Sequence, residues 1–92
     1  MFNYSEEKQP LLNERVEVKF VRVGGEVVGW NQRTADILQY ETGRVEEIKP
    51  RGGERRMTMV LVRFERVLPK AWENGSPIEA FWVNVCHLAP AW

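Results

Sequence analysis

Cys86 and His87 are the two side chains of this 92-residue chain best suited to covalent or metal chemistry. A thiol beside an imidazole is the pairing that activates a cysteine nucleophile. The two are neighbours in sequence, however, and neighbouring side chains on an extended segment point to opposite faces. Each is also the only residue of its type, and one cysteine with one histidine cannot complete a zinc site. We therefore expect no metal site and no cofactor.

Carboxylates and hydroxyls suit catalysis no better. Glu46 and Glu47 are adjacent, so on a strand they diverge and cannot face each other as an acid/base pair. The only serines, Ser5 and Ser76, lie in polar segments rich in turn-forming residues. The glycines do not match a dinucleotide-binding fingerprint or a phosphate-binding loop. The sequence therefore predicts no catalytic residues and a protein that is not an enzyme.

A basic turn over residues 49–56 could bind nucleic acid. It holds four basic residues, Lys49, Arg51, Arg55 and Arg56. These could contact phosphates while Trp30, Tyr40 or Trp82 stacks on bases, as in single-strand binders. The other interpretation is a solubilising loop whose arginines pair with nearby glutamates. The chain has 13 basic and 13 acidic residues, whereas dedicated nucleic-acid binders usually carry a basic surplus. Nucleic-acid binding therefore stays the alternative hypothesis.

One predicted strand is apolar on both faces. From residue 57 onward, Met57, Met59 and Leu61 share one face, and Val60 and Val62 lie on the other. A half-buried antiparallel strand normally alternates apolar and polar residues. The second apolar face therefore needs a cover of its own. That cover could be the segment 31–42, the pair Leu11-Leu12, or another molecule.

Four tryptophans add to this apolar content. Trp30 and Trp82 fall on predicted strands, where core packing is the usual role. Trp72 and Trp92 fall outside strands and could be exposed anchors, since tryptophan is enriched among interface hot spots. Large exposed apolar patches also mark interaction sites. The predicted protein interface therefore comprises Met57, Met59, Leu61, Trp72, Trp82 and Trp92.

Short strands joined by turns would carry these residues. Val16, Val18 and Phe20 alternate with polar residues before the phase shifts, which predicts a strand with a β-bulge. Gly24-Gly25 fits a tight hairpin whose return strand covers 26–30. Further strands are predicted at 43–48, 57–67 and 78–85. Such regular spacing is typical of a small antiparallel barrel or sandwich.

The remaining segments are a lead-in and an insertion. Residues 1–14 are polar and predicted to be a flexible lead-in, and residues 15–92 a single β-barrel domain. Residues 34–40 are predicted to form a short helical or irregular insertion with Thr34 as its N-cap, although they could extend the sheet. Apolar residues make up 43% of the chain and charged residues 28%, as in folded domains.

Three stretches resemble the SH3-like small β-barrel superfamily. The first is Val16-Glu17-Val18-Lys19, and the second is 42–48, which resembles a G-x-V-x-x-I strand. The third is 60–65 with the tail 81–90, which resembles a closing strand with a one-turn helix. The pattern is also similar to Tudor-type modules and to small photosynthetic accessory barrels, such as photosystem I subunit IV and the variable chain of ferredoxin–thioredoxin reductase. The resemblance implies a mostly β, five-stranded antiparallel barrel with a binding or assembly role, and carries over no functional residue.

The expected location follows from composition. The first ten residues include Glu6, Glu7 and Lys8 and have no apolar run, so we expect no signal peptide. No apolar run approaches the length of a membrane helix. A single cysteine rules out an internal disulfide and fits a reducing compartment. We expect a cytoplasmic protein, most simply of a bacterium, with no membrane partner.

Together these observations predict a non-enzymatic binding or assembly module. Its expected partner is a second copy of itself, as in a homodimer, or another protein, docked on the apolar sheet face. A nucleic-acid-binding barrel that uses the 49–56 turn is the first alternative. The second is a small-ligand site at an oligomer interface, to which several copies could contribute His87, Tyr40 or Glu47.

Overall fold

The computed structural model describes residues 2–51 and 56–91 and contains five strands, a short helix and a 3-10 turn after the fourth strand. The elements in chain order are β1 (Arg15–Val18), α1 (Gln32–Leu38), β2 (Thr42–Lys49), β3 (Met59–Leu68), β4 (Ile78–Asn84), the 3-10 turn (Val85–His87) and β5 (Leu88–Pro90).

The strands form one antiparallel sheet in the order β4-β3-β2-β1-β5. This confirms the predicted mostly β fold with five antiparallel strands. The order has two ends, β4 and β5. No hydrogen bonds between the described residues join those ends, so the sheet is not closed into the predicted barrel in that sense.

The core lies on one face of this sheet. Val60, Val62 and Phe64 of β3 are buried in alternation, and register places Val83 of β4 and Val45 of β2 beside them. We call this the inner face, and the opposite one the outer face. β2 approaches its neighbour β3 closely at Gly43, where a Cβ would collide with the backbone of Arg63. This close approach therefore requires glycine.

The segment 19–30 departs from the predicted hairpin. β1 ends at Val18, and the predicted return strand over 26–30 is wrong. Gly24 and Gly25 do make a tight turn with positive φ of 61° and 85°, closed by a single bridge between Val23 and Glu26. The predicted bulge near residue 21 is absent from β1. The irregularity lies instead in β2, between Val45 and Glu47.

Side chains take the place of a partner strand in this segment. The Gln32 amide accepts a hydrogen bond from Val27 N–H at 3.3 Å and donates to the carbonyls of Val27 and Trp30 at 3.2 and 3.1 Å. His87 Nδ1 accepts from Val21 N–H at 3.2 Å. Because these groups satisfy the backbone, no ladder has to propagate beyond the turn.

The insertion is helical, as predicted, but it begins earlier. Asn31 is the N-cap, and its Oδ1 accepts from the N–H groups of Arg33 at 3.0 Å and Thr34 at 3.2 Å. Thr34, the predicted cap, lies inside the helix and is buried. Ala35 and Leu38 join the same buried cluster as the inner-face valines. The helix therefore packs on the core side of the sheet.

The predicted lead-in makes contacts with the sheet. Tyr4 is buried, its N–H donates to the Leu88 carbonyl at 2.8 Å, and its hydroxyl bonds Glu14. The Asn3 side-chain amide donates to the carbonyls of Lys19 at 2.7 Å and Cys86 at 2.8 Å. These contacts attach the beginning of the segment to both β5 and the 3-10 turn.

Candidate interaction site

The outer face of β3 and β4 carries a small apolar cluster. Register places Leu61 of β3 directly opposite Trp82 of β4, with Met59 two residues along and Ala80 beside Arg63. All four apolar side chains are half-buried. We call Met59, Leu61, Ala80 and Trp82 the outer patch. Met57, also half-buried, precedes β3 by two residues.

Charged side chains of both signs border the outer patch. Register sets Glu47 opposite Leu61 and Lys49 opposite Met59 on β2. Beyond the patch, Arg63 forms an ion pair with Glu46 at 3.0 Å. The border therefore offers both positive and negative partners to any surface that docks on the patch.

The outer edge of β4 has backbone groups without a strand partner. The N–H of Val85 donates to the Thr58 carbonyl at 3.0 Å, which continues the β3–β4 register by one pair. Hydrogen-bonded pairs alternate along an antiparallel ladder, so Val83 and Phe81 also point their backbone groups at β3. The N–H and C=O groups of Ala80, Trp82 and Asn84 therefore point away from β3. No described strand lies on that side.

The two segments expected to offer a cover lie elsewhere. The helix within 31–42 packs on the inner face, as Ala35 and Leu38 show. Leu11 and Leu12 are 71% and 63% exposed, so they do not bury themselves against the sheet. Among residues 2–51 and 56–91, neither predicted internal cover therefore lies over the outer patch.

The structure separates Trp72 from the other predicted interface residues. It is 55% exposed and lines a cavity of about 250 Å³ together with Trp30, Phe81 and Thr34. Gly29 and Asn31 complete the described lining. We call this the aromatic cavity. Trp92 lies outside the described residues.

Sequence reasoning missed Phe81 and Thr34 as members of any site. Phe81 sits opposite Val62 on the inner face, and its ring centroid lies 5.6 Å from that of Trp30. The alternation of β4 predicts that Phe81 and Trp82 face opposite ways. No sequence signal indicates that α1 and the 69–77 loop meet beside Phe81.

His87 and Cys86 have separate roles in the packing. His87 is buried, its ring 5.2 Å from that of Phe20, and burial lowers its pKa below the ordinary value. Cys86 is half-buried, and burial is the main cause that raises the pKa of its thiol. A raised pKa reduces the thiolate fraction at neutral pH, which is the reverse of what a nucleophile needs.

The basic turn is exposed in its described part. Lys49, Arg51 and Arg56 are exposed and have no ion pair with a described residue. Arg55 lies outside the described residues. Glu46, one of the glutamates near this turn in sequence, pairs with Arg63.

Residues 2–51 and 56–91 offer neither a metal site nor a membrane-spanning helix. No cluster of three or more His, Cys, Asp or Glu residues is arranged to hold a metal ion there. None of the described helical segments has the length and apolar character needed to cross a bilayer.

Comparison of the chain with protein-family models, with curated proteins and with solved structures finds no match. The arrangement of its own side chains is therefore the basis for a functional proposal.

Proposed function

We propose that this chain is a non-enzymatic assembly module that self-associates through the outer patch. One observation carries the proposal: Leu61 and Trp82 form an apolar cross-strand pair on the face opposite the core, and neither α1 nor Leu11-Leu12 covers it. Apolar side chains grouped on the face of a sheet opposite the core often mark a protein interface.

A second copy is the partner that best matches the surroundings of the patch. A two-fold interface brings the same surface patch of both copies together, so that patch must be complementary to itself. The border holds Glu47 and Lys49, which offer opposite charges to their counterparts across such an axis. Trp82 at the centre supplies the aromatic anchor typical of interface hot spots.

The outer patch by itself is small for a stable interface. A standard interface covers roughly 800 Å² per partner, which four half-buried side chains alone cannot supply. Met57 and the border residues Glu47 and Lys49 would add contact area around the patch.

Molar mass by size-exclusion chromatography with light scattering, at two protein concentrations, tests this proposal. The wild-type chain should run as a dimer or larger, and Leu61→Glu should shift it to monomer because a charge is then buried in the interface. Val67→Glu is the matched control, since Val67 is also on β3 but is 60% exposed. It should leave the mass unchanged. A wild-type monomer at both concentrations, or an unchanged mass for Leu61→Glu, would refute self-association through this face.

Nucleic-acid binding remains a second candidate. Its specific support is the exposed group Lys49, Arg51 and Arg56, which has no ion pair with the described residues. Binding through this turn should weaken steeply with salt. An electrophoretic shift of single- or double-stranded DNA or RNA at low salt, lost in Arg51→Glu, would support it. No shift of any of these at low salt would exclude it.

A further inference from the structure

The aromatic cavity has walls suited to a flat ring. Trp30 and Phe81 lie side by side on one part of the lining, and the exposed indole of Trp72 contributes another part. Gly29 has a positive φ of 80° and nothing within 4 Å of the position of a Cβ, so the entrance is open there. A volume of about 250 Å³ equals that of about eight water molecules in the liquid, enough for a one- or two-ring group.

Thr34, which also lines the cavity, has a buried hydroxyl without a partner. Thr34 is 2% exposed, and its Oγ1 is the one buried side-chain polar atom of the described residues without a hydrogen-bond partner. Such a buried group retains its desolvation cost until a partner arrives. The Asn31 side chain uses its oxygen to cap α1, and no described group accepts from its Nδ2. The lining therefore combines aromatic faces with polar groups able to bond a ligand.

The lining also carries no charge. None of its described members, Gly29, Trp30, Asn31, Thr34, Trp72 and Phe81, has an ionisable side chain. A charged ligand bound here would lose part of its hydration without gaining a counter-charge from the lining. The chemistry of the walls therefore favours a neutral ligand.

We propose that the aromatic cavity binds a neutral, planar heteroaromatic ring of the nucleobase type, stacked on the indoles. Rotation of the Thr34 side chain would turn its buried Oγ1 toward the cavity, where it bonds the edge of the ring. Both parts of this ligand are needed. A purely aliphatic or aromatic hydrocarbon would leave the Thr34 hydroxyl without a partner. A quaternary ammonium group is attracted to indole faces, but it has neither a donor nor an acceptor for that hydroxyl.

This site is separate from the surface proposed for self-association. Phe81 and Trp82 are adjacent on β4 and point to opposite faces, so a ligand in the cavity and a second copy on the outer patch touch different side chains. The two proposals can therefore fail independently.

Adenosine is the probe for the test. Titration into the full chain, followed by tryptophan fluorescence and by NMR shifts of the indole N–H groups, should show saturable binding that moves the signals of Trp30 and Trp72. Trp72→Ala should abolish it, and because Trp72 is largely exposed this variant should keep its fold. The proposal would be overturned if adenosine showed no saturable binding to wild-type protein at concentrations up to about 10 mM. That concentration is ten times the dissociation constant of roughly 1 mM that corresponds to 4 kcal/mol of binding free energy.

Thr34→Val tests the hydrogen bond, with Thr34→Ser as the matched control. Valine has nearly the shape of threonine without the hydroxyl, so adenosine should bind up to about tenfold more weakly, the loss of one neutral hydrogen bond. The same variant should unfold at an equal or higher temperature, because it removes an unsatisfied polar group. Serine should retain the affinity of the wild type. Unchanged affinity in Thr34→Val would overturn the role of the hydroxyl.

Two further probes identify the ligand class and its source. Tetramethylammonium chloride should not compete with adenosine, and if it binds while adenosine does not, the cavity is a cation cage and the proposal is wrong. A single-stranded oligo(dA) of twelve residues distinguishes a base within a strand from a free nucleoside. Binding tighter than that of adenosine, steeply weakened by salt and lost in Trp72→Ala, would identify the strand as the source. Equal affinities for both probes would identify the free nucleoside.

Discussion

Phe81 and Trp82 are neighbours on β4 whose side chains serve opposite faces of the sheet. Phe81 lies opposite Val62 on the inner face and contacts Trp30, whereas Trp82 lies opposite Leu61 on the outer face. One strand therefore supports both the aromatic cavity and the outer patch. Substitutions at two consecutive positions should have different consequences.

Trp82→Ala should weaken self-association while the monomer keeps most of its stability. Phe81→Ala should lower the free energy of unfolding by about 2–3 kcal/mol, somewhat less than for a fully buried phenylalanine, because Phe81 is half-buried beside the core. Sedimentation velocity measures the first effect and urea denaturation the second. If Trp82→Ala proved the more destabilising of the two in the monomer, the assignment of faces to functions would be wrong.

The stability of the fold should decrease as pH falls below about 6.5. Burial lowers the pKa of His87 in the folded chain, so between that pKa and 6.5 the unfolded chain binds more protons. Stability therefore rises with pH through this window. His87 Nδ1 also accepts from Val21 N–H, and a protonated ring could not accept that bond.

Thermal unfolding between pH 5 and 8 measures this effect. A His87→Asn variant should lose the pH dependence in that window, even if its stability is lower throughout. Glu65 acts below this window, because its pKa in the folded chain, lowered to about 2 by the hydrogen bond from Arg15, and its ordinary pKa of 4.5 both lie under pH 5. An unfolding temperature of wild-type protein that stays constant from pH 7 to pH 5 would contradict the predicted role of His87.

Gln32→Ala should loosen the 19–30 segment without unfolding the sheet. The Gln32 amide makes the hydrogen bonds to Val27 and Trp30 that a neighbouring strand would otherwise make. Their loss should cost about 1–2 kcal/mol and speed hydrogen exchange at the Val27 amide. The amides of β3, such as that of Val62, are the internal control. Their exchange rates should change only as far as the global stability changes. Equal changes at Val27 and Val62 would show that Gln32 has no local role.

Gly43→Ala should destabilise the fold by roughly 2–4 kcal/mol. A methyl group at this position would collide with the backbone of Arg63, so β2 and β3 would have to separate. Gly75→Ala is a control, because the nearest atom to its Cβ position lies at 3.3 Å in an exposed loop. Chemical denaturation of both variants decides the matter. A loss of unfolding free energy in Gly43→Ala no larger than that in the control would contradict the close approach of β2 and β3 at this residue.

The sequence predicts a strand correctly where apolar and polar residues alternate along the chain, because that signal is local. Val16 and Val18 alternate with Arg15 and Glu17, and β1 forms at the start of the strand predicted there. The predicted strand over 26–30 failed for a reason that alternation cannot reveal. Its backbone partner is the side chain of Gln32, and a side-chain partner leaves no periodic signal.

The sites were predictable only in part. The pattern places Met59 and Leu61 on one face of β3, but the register that sets Trp82 beside Leu61 depends on the irregular 69–77 connection. The aromatic cavity draws on three separate segments through Thr34, Trp72 and Phe81. Their approach follows from tertiary packing, for which one sequence holds no local signal.

The bonds of Asn3 have a consequence for how the chain reaches its native state. Its amide group joins Lys19 and Cys86, the latter 83 positions away, and the neighbouring Tyr4 bonds β5. Chain entropy opposes such distant contacts until most of the polypeptide is already ordered. Proteins dominated by non-local pairing fold in milliseconds to seconds, so this small domain should refold slowly for its size. During synthesis on the ribosome, Asn3 and Tyr4 emerge before the 3-10 turn and β5, so they reach these native partners only after both elements have been made.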